Sequence, residues 1–218
     1  MIQTVIFDMD GVIVDTEPVH HYAFHQHFKE LGITVSPEMY ASFTGNSTKN
    51  VYQKLKETFH IPDEIEDLVT AKRELFNTAF DKKEDLFLLD GVENLIKELH
   101  TNGMQLILAS SSSKVTIERI FARFGLHPYF THIISGEDFP KSKPHPAIFL
   151  HAASLSVATK ENCIIIEDST NGIKAAHAAE IYCIGYDSVN SKLQDYSLAN
   201  SVISHFDELT FEKIKRIK

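Results

Sequence analysis

Between Ile2 and Phe7 the chain is mostly apolar and β-branched, and this run stops abruptly on Asp8-Met9-Asp10-Gly11. Consecutive rather than alternating apolar positions predict a strand covered on both faces, the environment of a parallel sheet interior. Such a strand needs helices above and below it, which directs the chain to an α/β fold. The two acids then stand at a strand's C-terminal end, where ligands bind in open α/β sheets, and Gly11 lets the backbone turn away. Carboxylates this close need a cation or a shared proton. Asp also commonly bonds the backbone of its own turn, so the pair alone does not define a site.

The next stretch of chain is helical and delays the second strand. Glu17 to Leu31 has a helical pattern ending at Gly32, Ser36-Pro37 starts a short helix, Ser47 caps another running to Phe59, and Pro62 opens a third carrying Ile65, Leu68, Val69, Leu75 and Phe76. No strand alternation occurs from Thr16 to about Asp85. From Leu86 onward helices and strands alternate: helix Gly91 to Asn102, strand Met104 to Ala109, helix Lys114 to Phe124, strand His132 to Ile134 and helix Pro144 to Leu155. Strand Cys163 to Ile166, helix Gly172 to Ala179, strand Tyr182 to Ile184, an edge strand Ser201 to Ile203 and a terminal helix Phe206 to Ile217 complete it. The reading is an α/β parallel sheet core with helices on both faces, formed by 1–15 and 86–218, interrupted by a small all-α cap at 16–85.

The net charge of −9 argues against nucleic acid as a partner, because phosphates would be repelled except at a local basic patch. Two cysteines, Cys163 and Cys183, lie in Ile-rich surroundings without a CxxC pair, which fits buried thiols in a reducing compartment. The N-terminus lacks the basic region and long apolar run of a signal peptide, and no apolar stretch approaches transmembrane length. A cytoplasmic protein with no membrane association is expected, and a monomer suffices if the cap closes over the site of its own chain.

Four polar features fall at predicted strand ends or just beyond one: Asp8/Asp10, Ser110, Lys143 and Glu167-Asp168. Each has a bland local explanation as a cap or surface charge, but their shared sheet edge points to a phosphate site. A carboxylate approaching a phosphate meets repulsion of about 4 kcal/mol per unit-charge pair at ~4 Å and an effective dielectric of ~20. Asp8, Asp168 and a backbone carbonyl near Asp10 are hard oxygen ligands suited to Mg²⁺, Lys143 supplies a second positive charge, and the Ser110 hydroxyl a hydrogen bond.

These stretches also resemble a known family. Asp8-Met-Asp-Gly-Val-Ile-Val-Asp-Thr-Glu-Pro18, Ala109-Ser110-Ser-Ser112, Lys143-Pro-His-Pro146 and Ile166-Glu-Asp-Ser-Thr-Asn-Gly172 are similar to the four motifs of the haloacid dehalogenase superfamily, in the order and spacing of its β-phosphoglucomutase-like phosphatase branch. The resemblance implies a Rossmann-like core with a helical cap inserted after the first motif, Asp8 as a nucleophile forming an aspartyl-phosphate and Asp10 as general acid/base. It further implies Ser110 and Lys143 as phosphoryl ligands and Asp168 as a metal ligand with Asp8 and Asp10, Glu167 being a supporting or additional ligand. An acid at position 10 is not expected in the true dehalogenases.

Substrate choice falls to the cap. Thr16 and His20 match hinge positions of the branch's sugar-phosphate mutases, but the loop Phe43-Thr44-Gly45-Asn46-Ser47-Thr48-Lys49 has Thr44 and Thr48 where those mutases carry a Lys and an Arg for a second phosphate. Neutral hydroxyls do not replace an Arg fork, and Lys49, the nearest substitute, reads as a solvated lysine. The expected activity is therefore a Mg²⁺-dependent phosphatase acting on a small sugar or polyol phosphate ester, with Thr44, Gly45 and Thr48 facing substrate. A sugar-phosphate mutase using the same intermediate is the alternative, and a binding module without turnover is a further one. His21 and His25 have metal-ligand spacing but no evident third ligand, so with His27 they read as solvated. His145 reads as shaping the turn that holds Lys143.

Overall fold

The computed structural model describes residues 1–188 and 193–217. Alternate residues of β1 (Thr4–Phe7) serve two cores: Val5 and Phe7 enter one with Leu106, Leu108, Ile164 and Ile166, while Ile6 enters the other with Ile107, Ala109 and Ile165. That double burial is the reason for the unbroken apolar run. Among the described residues the sheet has six strands in the order β3-β2-β1-β4-β5-β6, every pair parallel, with β2 at Gln105–Ser110, β3 at His132–Ser135, β4 at Cys163–Glu167, β5 at Tyr182–Tyr186 and β6 at Ser201–Ile203. The chain builds outward from β1 to β3 and then restarts beside β1 with β4. The crevice at this switch point lies outside the C-terminal ends of β1 and β4.

Before β2 the chain forms α1 (Glu17–Glu30), α2 (Pro37–Ala41), α3 (Thr48–Phe59) and α4 (Ile65–Lys82), whose core of Phe24, Phe28, Phe43, Val51, Tyr52, Leu55, Leu68 and Val69 is separate from the two sheet cores. Ser36 and Ser47 accept from the backbone N–H groups of Met39 and Asn50 as N-caps. Val19, Ala23, Phe76 and Phe80 join the sheet-side core instead, so one face of α1 and α4 anchors this helical unit. After it, α5 (Val92–Thr101) and α6 (Lys114–Phe124) cover one sheet face, while α7 (Ala147–Ser154) and α8 (Thr170–Ala179) cover the other.

The largest departures from the sequence expectation are at three helix boundaries. Pro62 does not open α4: the carbonyls of Pro62 and Asp63 accept from the Lys56 ammonium, and the helix starts at Ile65 after Glu64. Helix α7 starts at Ala147 rather than Pro144, because the segment from Ser142 to Pro146 is a turn closed by His145 N–H to Ser142 O and His145 Nδ1 accepts from Ala147 N–H. The terminal helix is split into a 3₁₀ turn, Phe206–Glu208, and α9, Phe211–Lys215, by the Thr210 N-cap. No helix among the described residues is long and apolar enough to cross a membrane.

Candidate active site

Asp8 follows the last residue of β1 and is buried, with Lys143 Nζ donating to its Oδ1 at 2.5 Å. The same ammonium donates to Glu167 Oε1 at 2.8 Å and to Ala109 O at 3.1 Å, so all three of its protons are used and its side chain is fully buried. Burial works against the Lys143 charge, but Asp8 and Glu167 outweigh it and hold its pKa above the ordinary lysine value. Burial also raises Asp8 to about 7, against the pull of Lys143. One cation is thus shared by two carboxylates in a buried site, an arrangement short of positive charge.

Glu167 has both oxygens engaged, Oε1 by Lys143 and Oε2 by the N–H and hydroxyl of Ser169. Gly172 makes this possible, since a Cβ there would stand 1.7 Å from Glu167 Oε1. Asp168 is buried beside the Asp8-Asp10 turn, its Oδ2 only 2.2 Å from where a Gly11 Cβ would be. Gly11 has φ +81, so both its conformation and its missing side chain are required.

Asp10 belongs to a second network. Its Oδ1 accepts from Thr16 Oγ1 and lies 3.4 Å from His20 Nε2, and its Oδ2 accepts from Ser112 Oγ at 2.6 Å. Burial raises its pKa, but His20 and these hydroxyls prevail and bring it down to about 2. On the far side of the imidazole, Lys72 Nζ lies 2.8 Å from His20 Nδ1. An ammonium donating there leaves the Nε2 proton to face Asp10, giving a directed chain Lys72 to His20 to Asp10. Burial lowers Lys72 to about 7 and, with the Lys72 charge, lowers His20.

A cavity of about 70 Å³ separates this sheet edge from the helical unit and is lined by Asp8, Asp10, His20, Thr44, Gly45 and Thr48, with Lys72, Arg73 and Ser111 to Ser113 among the remaining lining residues. Thr16, Ser110, Lys143, Glu167 and Asp168 lie beneath, all buried. Ser110 ends β2, its Oγ accepting from Ser112 N–H at 3.0 Å. The unit is held down by core side chains on its backbone: Ser111 Oγ donates to Gly45 O, Asn171 Nδ2 to Thr44 O, and Gln194 Nε2 to Ala41 O. The volume is well below the roughly 300–1,000 Å³ of a typical small-molecule site.

Lys49 pairs with Glu66 in solvent, away from the cavity. His21 and His25 stack with ring centroids 4.0 Å apart, and no three His, Cys, Asp or Glu side chains form a metal-type cluster among the described residues. Sequence reading missed Lys72, Arg73 and Ser112. Lys72 sits in an ordinary helical stretch, and only its complete burial, visible in three dimensions, sets it apart.

Glu17, next to this network, accepts from Tyr40 O–H at 3.0 Å and is raised to about 7 by burial. A carboxyl raised on folding binds more protons in the folded state between its unfolded value and about 7, so it subtracts stability as pH rises through that window. Glu17→Gln should therefore stabilise the protein by ~1–2 kcal/mol at pH ~8 and by nothing at pH ~4, read from urea unfolding at both.

A parallel core in this order, with paired acids and a buried lysine at the switch point beneath a helical unit, is the frame of a hydrolase built on a Rossmann-like sheet. The chain belongs to the family of haloacid dehalogenase-like hydrolases, whose family model matches residues 5–186. It is 29% identical over 190 residues to the fructose-1-phosphate phosphatase of Escherichia coli (strain K12), covering 87% of this chain and 96% of the relative. A bifunctional riboflavin kinase/FMN phosphatase of Arabidopsis thaliana is 27% identical over 210 residues, 96% of this chain and 55% of that protein. Among solved structures, a β-phosphoglucomutase from Clostridium difficile superposes with TM-score 0.85 at 27% identity, covering 99% of this chain and 96% of that one.

Proposed function

We propose that this protein is a Mg²⁺-dependent phosphatase for a small sugar or polyol phosphate, working through an aspartyl-phosphate on Asp8. The observation that carries the reading is the meeting of Asp8, Asp10, Lys143 and Asp168 at one sheet edge beneath a closed cavity. Similarity to a fructose-1-phosphate phosphatase supports the substrate class. Residues 16–85 act as the cap, and the core comprises 1–15 and 86–218, of which 189–192 and 218 lie outside the described residues.

In the first half-reaction an Asp8 oxygen attacks phosphorus, the bond from phosphorus to the ester oxygen breaks, and that oxygen takes a proton from Asp10. In the second, water attacks phosphorus, Asp10 receives a proton from it, and the bond to Asp8 breaks to release phosphate. Asp10, held near 2, is ionised before substrate arrives, the form suited to the second half. A phosphate dianion beside it raises its proton affinity by like-charge repulsion, which suits the first half. The His20 and Lys72 chain orients it in both. Lys143 holds the attacking carboxylate in place, and Glu167 holds Lys143.

The donor set fits Mg²⁺. Asp8 and Asp168 offer hard carboxylate oxygens on either side of the turn made possible by Gly11, and Asp10 can add its backbone carbonyl, its side chain being turned to Thr16 and Ser112. When bound, the ion would neutralise charge on the phosphoryl oxygens. Glu167, both oxygens committed, supports Lys143 in place of ligating the metal.

The mutase alternative shares these steps and differs in the acceptor, a sugar hydroxyl in place of water. Similarity to a β-phosphoglucomutase keeps it in view. Incubation with a panel of sugar phosphates, with and without β-glucose 1,6-bisphosphate, decides between them. Free phosphate is expected, and isomerised product without phosphate release would reverse the assignment.

Closure of the cap on Gly45 offers a second check. Gly45 has φ +78, and a Cβ there would stand 2.2 Å from Ser169 Oγ, a hydroxyl fixed by Glu167 and Gly172. Gly45→Ala should lower kcat/KM by about tenfold or more while changing unfolding stability by only ~1 kcal/mol, because the strain falls on the closed arrangement and lifting the cap relieves it.

A further inference from the structure

Among the described residues three cations lie at or around the cavity, and two are already committed. Lys143 serves Asp8 and Glu167 beneath the floor. Lys72 points to His20 and lies over the rings of Phe24 and Phe76, at 4.4 Å and 5.0 Å from their centroids. Arg73, the next residue of α4, is different: its guanidinium is always charged and sits at the rim, with a side chain 37% exposed. Its Nε is nonetheless buried and has no hydrogen-bond partner among the described residues. Asn77 Oδ1, one turn further along α4, is likewise buried without a hydrogen-bond partner among the described residues.

Arg73 does hold one carboxylate, that of Glu137 on the core side. The two oxygens of Glu137 are bound as a free anion would be, one by the guanidinium and the other by the backbone N–H of Lys114 at the start of α6, at 2.9 Å. Arg73 also marks a junction. The cavity over Asp8 and the groove that contains Glu137 share Thr48, Arg73, Ser111 and Ser113 in their walls, so a molecule with its phosphoryl group at Asp8 extends toward this pair. The ion pair spans cap and core, so it breaks when the cap lifts and its guanidinium is released as substrate enters.

We propose that Arg73 is the receptor for a second anionic group on the substrate, a carboxylate or a phosphate distant from the phosphoryl group transferred, and that Glu137 occupies this receptor until such a group replaces it. The inference rests on the phosphatase reading and narrows its substrate class to doubly anionic esters. It supplies from α4 the charge that Thr44 and Thr48 of the cap loop lack.

The test uses matched esters: glucose 6-phosphate against gluconate 6-phosphate for a carboxylate, and fructose 1-phosphate against fructose 1,6-bisphosphate for a phosphate. Wild type should favour the doubly anionic member of at least one pair in kcat/KM by about 10- to 100-fold, and the favoured pair identifies the group. Arg73→Gln should reduce that ratio to near unity, Arg73→Lys should restore part of it, and Glu137→Gln should keep or enlarge it. A wild-type ratio near unity for both pairs overturns the proposal. So does an Arg73→Gln variant that lowers both members by the same factor, since the pair would then only latch the cap. If no ester is hydrolysed at all, the phosphatase reading fails separately. Calorimetric binding of the same esters to Asp8→Asn then decides: a preference for the doubly anionic member that Arg73→Gln abolishes supports the receptor, and equal binding overturns it.

Discussion

Asp8→Asn is expected to reduce Mg²⁺-dependent phosphate release from p-nitrophenyl phosphate by at least about 10⁴-fold while leaving the fold intact. The amide has the shape of the carboxyl group but supplies no anionic oxygen to attack phosphorus. Its carbonyl still accepts from Lys143, and Lys143 retains Glu167 as an ionic partner. Burial already makes the charged form of Asp8 expensive, raising it to about 7, so a neutral side chain is well tolerated there. The thermal midpoint should stay within a few degrees of wild type. A variant keeping a tenth of the wild-type rate would remove Asp8 from the role of nucleophile and leave it as a metal ligand.

Lys143→Met should be damaging in both respects. The ammonium is fully buried and is the shared partner of Asp8 and Glu167, so its loss leaves two carboxylates facing each other without a cation. Breaking a buried pair on one side costs ~3–5 kcal/mol, and urea unfolding should show a loss of that size. Activity should fall by at least about 10³-fold, because the attacking carboxylate loses both its orientation and an opposing charge. The double variant Lys143→Met/Glu167→Gln separates the two effects: it should recover part of the stability, having removed one unpaired charge, and none of the activity. A stability loss below ~1 kcal/mol for Lys143→Met would mean that the lysine does not neutralise this site.

Much of the frame was legible in the chain because it rests on local patterns that the tertiary structure has no reason to override. The β1 run is apolar at consecutive positions since Val5 and Ile6 face opposite cores, and Gly125 ends α6 in the left-handed conformation that its sequence position suggests. The misread boundaries at Pro62 and Pro144 share a cause. Proline fits a helix's first turn, but it fits an ordinary turn equally well, and short-range hydrogen bonds, Lys56 to Pro62 O and His145 N–H to Ser142 O, hold a turn in both cases. The missed residues Lys72 and Arg73 had no local signal, because a lysine and an arginine in a helix look like any others until their neighbours are known.

Adjacent positions in the chain were enough to put Asp8 and Asp10 at the end of a central parallel strand, since the apolar run and the placing of Gly11 are local properties. The same reasoning carried Ser110, Lys143 and Glu167-Asp168 to one sheet edge, because parallel strands joined by helices all end on one side. How those charges are shared is instead a property of the packed molecule. Packing gave Lys143 to Asp8 and Glu167 together, set Asp10 in a separate network with His20 and Lys72, and brought Arg73 of α4 against Glu137 of the core. Such pairings depend on which side chains meet in a low-dielectric space, and that is fixed by the docking of elements far apart in the chain.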